Sequence, residues 1–294
     1  MSDRTGTSVG VDVGGTNIRA ARIDRTGRLL ELMIEPVVAD RDGFAAQLLR
    51  LIGAVADRQT RGVGIGIPGR VDARTGVIRS AGYLDIAGLD LPALIERNHG
   101  LHTQIENDAT AALIAEVSVR PEMSKGLVLM VTVGTGIGGA ILQNGVPWHG
   151  GGISGQFGHL VVASDGPRCN CGRRGCIETF SSGTALRRLI ADAGLTDDLR
   201  ASSLIERASG GDSLASDVVN SWAAPFQRAL ETLTAAFDPQ LIVIGGGLGQ
   251  DMANALTGLT NESSWFGQPI APAKLGDNAG VIGAGLLGFP KDGA

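Results

Sequence analysis

The feature that most constrains this chain is a pattern that occurs twice. Val9 to Val13 is an apolar run ending in Gly14-Gly15-Thr16, and Ile18 to Ile23 follows it. Leu127 to Val133 ends in Gly134-Thr135-Gly136, and Gly138 to Leu142 follows, closed by Asn144-Gly145. Short apolar runs bounded by glycine turns read as strands, and Asn-Gly is a hairpin signal. Each half therefore opens with strand, glycine loop, strand, turn. The repeat predicts two similarly built lobes with a boundary near Arg120-Pro121, and 294 residues suffice for two ordinary domains.

Strands and helices alternate between these openings. Leu29 to Ile34 and Val63 to Ile67 read as strands, and Thr103 to Ile105 as a short one. Phe44, Leu48, Leu51, Ile52 and Val55 mark one face of a helix. Further helices are expected over Leu91 to Arg97, Ala109 to Val117, Thr184 to Ala193 and Leu214 to Phe237. Leu241 to Ile244 is a strand closed by Gly245-Gly246-Gly247, and Val281 to Leu287 is a final helix. The alternation makes this an α/β chain.

Three strand ends carry glycine loops, and each has two readings. Asp12-Val13-Gly14-Gly15-Thr16-Asn17 puts a carboxylate beside a glycine turn whose N–H groups and Thr16 hydroxyl suit phosphate oxygens. Asp12 suits the magnesium that accompanies ATP, held through water. No Gly-Lys-Ser/Thr follows, so this is not a Walker loop, and a plain hairpin turn is the alternative. Gly134-Thr135-Gly136 repeats the arrangement, and Gly245-Gly246-Gly247 lets a flat ring such as adenosine approach the backbone. Asn107-Asp108 opens a helix: the pair serves either as a cap or as the general base for a sugar hydroxyl. A helix N-terminus favours the ionised carboxylate, so a weak base is expected, which phosphoryl transfer tolerates because its transition state is loose.

The sharpest local signal is His159 with Cys169, Cys171 and Cys176. One imidazole and three thiolates form a complete Cys₃His set for a structural Zn²⁺, the alternatives being free core cysteines or a redox pair. The three cysteines lie in one short segment, which argues against a disulfide framework. A net charge of −5 without a basic run argues against a nucleic-acid partner. Met1 to Ser8 has no apolar signal core and no run approaches membrane-spanning length, so a cytoplasmic protein with no membrane partner is expected.

Taken together, Asp12 to Thr16, Asn107-Asp108, Gly134 to Gly139, Gly155 to His159, Cys169 to Glu178 and Gly245 to Gly247 resemble the ROK sugar kinases and repressors, over nearly the whole chain. The cysteine segment with its histidine is specific to that family, while the glycine loops are shared across the actin/hexokinase/Hsp70 superfamily. The resemblance implies an α/β, two-lobed actin/hexokinase-like (RNase H-like) fold with a central cleft. The first lobe would be residues 1–120, with a C-terminal helix at about 281–294 packing back on it, and the second residues 121–280. The implied activity is ATP-dependent phosphorylation of glucose or a close relative at the 6-hydroxyl. Asp108 would be the catalytic base, and Asn107, Gln156, His159 and Glu178 would contact the sugar. ATP would lie over the glycine loops with Mg²⁺ near Asp12, and the chain would form a homo-oligomer, a dimer or tetramer.

Two departures lie on the sugar side. The family usually has Gly-Glu-Ile-Gly-His where this chain has Gly155-Gln156-Phe157-Gly158-His159, and an amide replaces a charged acceptor. Ser80-Ala81-Gly82-Tyr83-Leu84 stands where many members carry a Pro-Asn loop. An altered sugar preference follows, with kanosamine, N-acetylmannosamine and N-acetylglucosamine as alternative substrates. A repressor of the family would be expected to carry a helix-turn-helix ahead of the first strand, which starts here near Ser8, and a non-catalytic sensor should have lost Asp108 or a phosphate loop.

Overall fold

The computed structural model describes residues 6–82, 84–196, 199–259, 267 and 269–290. It contains two compact units. The first comprises the chain as far as Ser124, the segment Gly145–Ser154 and the stretch from Asp277 onward; the second comprises Lys125–Asn144 and Gly155–Gly276.

The first unit contains β1 (Thr7–Val13), β2 (Asn17–Asp24), β3 (Leu29–Pro36), α1 (Arg41–Val55), β4 (Thr60–Ile67), β5 (Arg70–Asp72), β6 (Val77–Ser80), α2 (Leu91–His99), β7 (Thr103–Asn107) and α3 (Asp108–Ser118). Its main sheet has the order β3-β2-β1-β4-β7. The β1-β2-β3 meander is antiparallel, whereas β1-β4 and β4-β7 are parallel. Both faces of β1 are covered, because alternate side chains point to opposite faces. Val9, Val11 and Val13 share a core with Phe44, Leu48 and Ile52 of α1.

The other face takes α9 (Ala279–Gly288), whose Val281 and Ala284 carbonyls occupy the space that a Cβ would need at Gly10 and Gly64. Gly283 meets the Ala111 carbonyl of α3 in the same way. Only bare backbone permits this approach. The Ser8 hydroxyl donates to the Gly285 carbonyl at 2.5 Å, fixing the helix along β1.

The second unit holds β8 (Leu127–Val133), β9 (Ile137–Gln143), α4 (Glu178–Ser181), α5 (Gly183–Asp192), α6 (Ala201–Ser209), α7 (Ser213–Phe237), β11 (Leu241–Gly245), α8 (Gly249–Thr257) and β12 (Ile270–Pro272). Its strands run β9-β8-β11-β12. Again the opening pair is antiparallel and the following pairs are parallel. Trp222 and Phe226 of α7 are fully buried in its core. Pro225 interrupts the N–H ladder of α7. Nearby, the Ser181 hydroxyl donates to the Trp222 carbonyl at 2.8 Å, and the Trp222 indole donates to the Ser182 carbonyl at 3.1 Å.

Several boundaries differ from those read in the sequence: the first unit runs to Ser124 and resumes at Asp277, where 120 and about 281 were expected. Gly145–Ser154, which includes β10 (Val146–Pro147), belongs to the first unit and not with the rest of 121–280, because His149 pairs with Glu106 of β7 there. The final helix spans Ala279–Gly288, and residues 291–294 of the expected 281–294 helix lie outside the described residues. Tyr83, in the loop offered as a sugar contact, also lies outside them.

Candidate active site

Asn107 and Asp108 sit where β7 gives way to α3. The Asn107 Oδ1 accepts from the N–H groups of Ala109 at 3.0 Å and Thr110 at 3.2 Å, while its Nδ2 donates to the Gly69 carbonyl at 3.2 Å. Asn107 is therefore the cap, and Asp108 is free of that duty. Asp108 Oδ1 accepts from the Ala109 N–H at 2.8 Å. Burial raises the Asp108 carboxyl above its ordinary value, and the N–H groups of Ala109 and Asp108 and the Asn107 side chain offset this only in part. This corrects the expectation of a weak base: desolvation outweighs the helix N-terminus.

Asp12 lies near the end of β1, with β4 between it and β7. A Cβ on Gly66 of β4 would lie 3.5 Å from the Asp108 Cα and 3.7 Å from Asp12 Oδ1, which shows how close the two acids are. Burial first, then the Asp108 charge, raises the Asp12 carboxyl to about 7, against the pull of Arg19. Arg19 reaches Asp12 at 3.8 Å and Asp277 at 3.7 Å. On α9, a Cβ at Gly280 would fall 2.6 Å from the Asp12 carboxyl carbon, so glycine is required there. Clustered carboxylates that outnumber the single guanidinium beside them make a donor set that fits a divalent cation. The Gly14 N–H closes the turn on the Asn17 carbonyl at 2.9 Å, and Gly15 and Thr16 form its exposed tip.

In the second unit, the Gly134 N–H likewise closes its turn, on the Gly136 carbonyl at 3.0 Å. The loop is backed by helix ends: Gly183 N–H donates to the Gly134 carbonyl at 2.7 Å, and the Thr184 hydroxyl to the Thr135 carbonyl at 2.8 Å. Glu178 accepts from the Ile137 N–H at 2.9 Å, and its carboxylate stands 2.6 Å from where a Gly136 Cβ would be. Gly245 ends β11. Gly246 has φ +83°, and a side chain there would also strike the Val133 backbone, while Gly247 faces open space.

The four metal-ligand candidates converge. The ligand atoms of His159, Cys169, Cys171 and Cys176 all lie within 4.8 Å of one another. Cys169 Sγ is 3.6 Å from His159 Nδ1, and Cys171 Sγ is 3.6 Å from Cys176 Sγ. Tetrahedral zinc with ordinary bond lengths requires edges of about 3.6–3.8 Å, whereas a disulfide requires about 2.05 Å. All three cysteines are free. The Arg173 backbone N–H is the largest influence lowering the exposed Cys171 thiol to about 7, whereas burial first, then the other two cysteines, pushes the Cys176 thiol up to about 12. Gln156 precedes the short 3₁₀ turn Phe157–His159 that delivers the imidazole, its carbonyl accepting from the His159 N–H at 3.1 Å, and Gly139 on β9 leaves room for Phe157 beside it.

The first unit thus brings together Asp12, Asn107 and Asp108, and the second brings Gly136 to Glu178 and His159 to the cysteines. Sequence alone missed Arg19, Gly280 and the Glu106–His149 pair. Arg19 had a signal, a charge on a strand with buried neighbours. The pair had none, since its members lie 43 residues apart.

The chain is 32% identical to a glucokinase of Halalkalibacterium halodurans, over 98% of this chain and 96% of that one. It is 30% identical to an N-acetylmannosamine kinase of Salmonella newport, over 96% and 98% of the two chains. Its structure matches a ROK family glucokinase of Streptomyces griseus, solved with glucose and AMPPNP, with a TM-score of 0.81 and 28% identity over 96% of this chain and 99% of that one. The fold is the actin/hexokinase-like α/β fold expected from sequence. The ROK family model matches residues 8–289, and the chain belongs to the ROK family.

Proposed function

We propose that this chain transfers the terminal phosphoryl group of ATP to the 6-hydroxyl of glucose or a modified glucose. The observation that carries the reading is Asp108: a carboxylate made more basic by burial, next to Asn107 and close to Asp12. Asp108 accepts the hydroxyl proton, which leaves late in a loose transition state, and a raised pKa makes it a better acceptor at that point. Asn107, Gln156, His159 and Glu178 orient the sugar. The one hydrogen bond from Ile137 leaves Glu178 further acceptor sites. Asp12 holds Mg²⁺, which neutralises phosphate charge when bound. Thr16, the Gly134–Gly136 loop and the Gly245–Gly247 loop receive the nucleotide, with Gly14 and Gly134 serving to close their turns.

His159, Cys169, Cys171 and Cys176 hold a structural Zn²⁺. With Nδ1 turned to the metal set, His159 keeps Nε2 for a sugar hydroxyl. Gln156 and the likeness to an N-acetylmannosamine kinase favour an amino sugar as the second reading. The enzyme works in the cytoplasm as a dimer or tetramer; no described helix is long and apolar enough to cross a membrane. The test is a panel of hexoses and amino sugars with ATP or polyphosphate, ranked by kcat/KM. No phosphorylation of any sugar on the panel would overturn the reading.

A further inference from the structure

We infer that His149 is a positioning residue for phosphoryl transfer, holding Asn107-Asp108 in place through the carboxylate of Glu106. This rests on the kinase reading above. Glu106 is only 3% exposed. Its Oε1 accepts from the Asn107 N–H at 2.8 Å, and its Oε2 meets the His149 Nε2 at 2.7 Å. One buried carboxylate therefore links an imidazole to the peptide nitrogen at the entry to the catalytic pair. β7 is the last strand of its sheet, and the final N–H of that strand is held by this side chain. A buried carboxylate needs a partner, and removing one leaves an uncompensated charge. His149 is that partner from a segment otherwise exposed at Val146, Trp148 and Ile153.

The charged groups facing His149 are Glu106 on β7, Asp72 at the end of β5 and Arg74 in the turn beyond it. The Glu106 hydrogen bond is the largest influence and raises the imidazole above 6.5, against its burial. Below that raised value the pair is charge-assisted. Above it the neutral ring still donates a hydrogen bond, but a weaker one. The hold on Glu106 thus slackens as pH rises without being lost. This opposes the effect of Asp108, whose ionisation increases activity as pH rises.

The experiment is the pH profile of kcat/KM for the best sugar, with thermal stability, for the wild type, His149→Gln, His149→Ala and Glu106→Gln. The wild type should rise as Asp108 ionises and then decline in part as His149 loses its proton. His149→Gln should lower kcat about tenfold on the acid side of that decline, the scale on which small misplacements of reacting groups are felt, and should lack the decline. Glu106→Gln should do the same. His149→Gln with wild-type kcat and an unchanged profile overturns the inference, as does a loss of activity that tracks stability alone. Glu106→Gln decides the matter where the His149 variants fold poorly. A wild type inactive on every sugar overturns the kinase reading and this inference together; an active wild type with unaffected variants overturns the inference alone.

Discussion

The loop after β1 and the loop after β8 share a backbone design and are supported by different forces. Around the first stand Asp12, Asp108, Arg19 and Asp277, and the strongest effect there is the burial that pushes Asp12 to about 7. Around the second, support comes from hydrogen bonds: Gly183 to Gly134, Thr184 to Thr135, and Ile137 to Glu178. Glu178 follows Cys176 by two residues, so the second loop is tied through a short stretch of chain to the cysteine cluster. The same strand–loop–strand frame can thus carry an electrostatic site in one unit and a braced site tied to the His159–cysteine cluster in the other. The first should answer to charge and pH, and the second to the metal and to shape.

The largest test strikes the first loop's side of the comparison. Asp108→Asn keeps the shape and removes the proton acceptor, so kcat should fall about 10³-fold with ATP affinity nearly unchanged, within the range for loss of a general base. A variant retaining most of the wild-type kcat would remove Asp108 from its role. Next, on the second side, purified protein should contain about one zinc per chain, from the closed four-ligand set. Cys171→Ala should lose the metal and raise the KM for sugar by about tenfold or more, with a smaller change in kcat. Active protein without zinc in metal analysis would break the comparison on that side.

Gln156→Glu restores a charged acceptor. It should shift the ratio of kcat/KM between glucose and the best amino sugar about tenfold toward glucose, about 1.4 kcal/mol. An unchanged ratio, with glucose better throughout, would mark the amide as a neutral replacement. The smallest effect concerns stability. The folded Asp108 value is raised, so the folded state binds protons more readily than the unfolded chain. Stability from this group therefore rises as pH falls through the folded value toward 3.8, while activity falls over the same window. Above that window, Asp108→Asn should melt at or above the wild-type temperature. A clearly lower melting temperature would show the carboxylate to be a stabilising element.

Local signals made most of this legible in advance. The zinc-type ligands fall within one short stretch of sequence, so their convergence needed little knowledge of the fold. Strands such as Leu127–Val133 are continuous apolar runs and were read almost to their ends. The β5–β6 hairpin was not, because each of its two short strands buries a single apolar residue, Val71 or Ile78, while Val77 is exposed. Helices α6 and α8 escaped for a similar reason, with two or three buried residues each. The basicity of Asp108 was misjudged because the cap is visible in sequence and the burial is not. The Glu106–His149 link depends on a chain path that brings Gly145–Ser154 to the first unit, which no spacing rule encodes.

The close seat of α9 on β1 and β4 has a consequence for how the protein is made. Gly10 and Gly64 present bare backbone that Val281, Ala284, Gly285 and Gly288 of α9 cover, so β1 and β4 await a helix made much later. During synthesis the second unit's residues, up to Gly276, emerge before that helix does. Domains generally fold as units as they leave the ribosome, N-terminal first; for this chain the opposite order of completion is expected. The unit begun first is completed last, and its sheet stays uncovered on one face while the later-made unit can already assemble. Chains ending at residue 276, held on the ribosome by a linker long enough to clear the exit tunnel, should show protease protection of Lys125–Asn144 and Gly155–Gly276 ahead of β1 and β4.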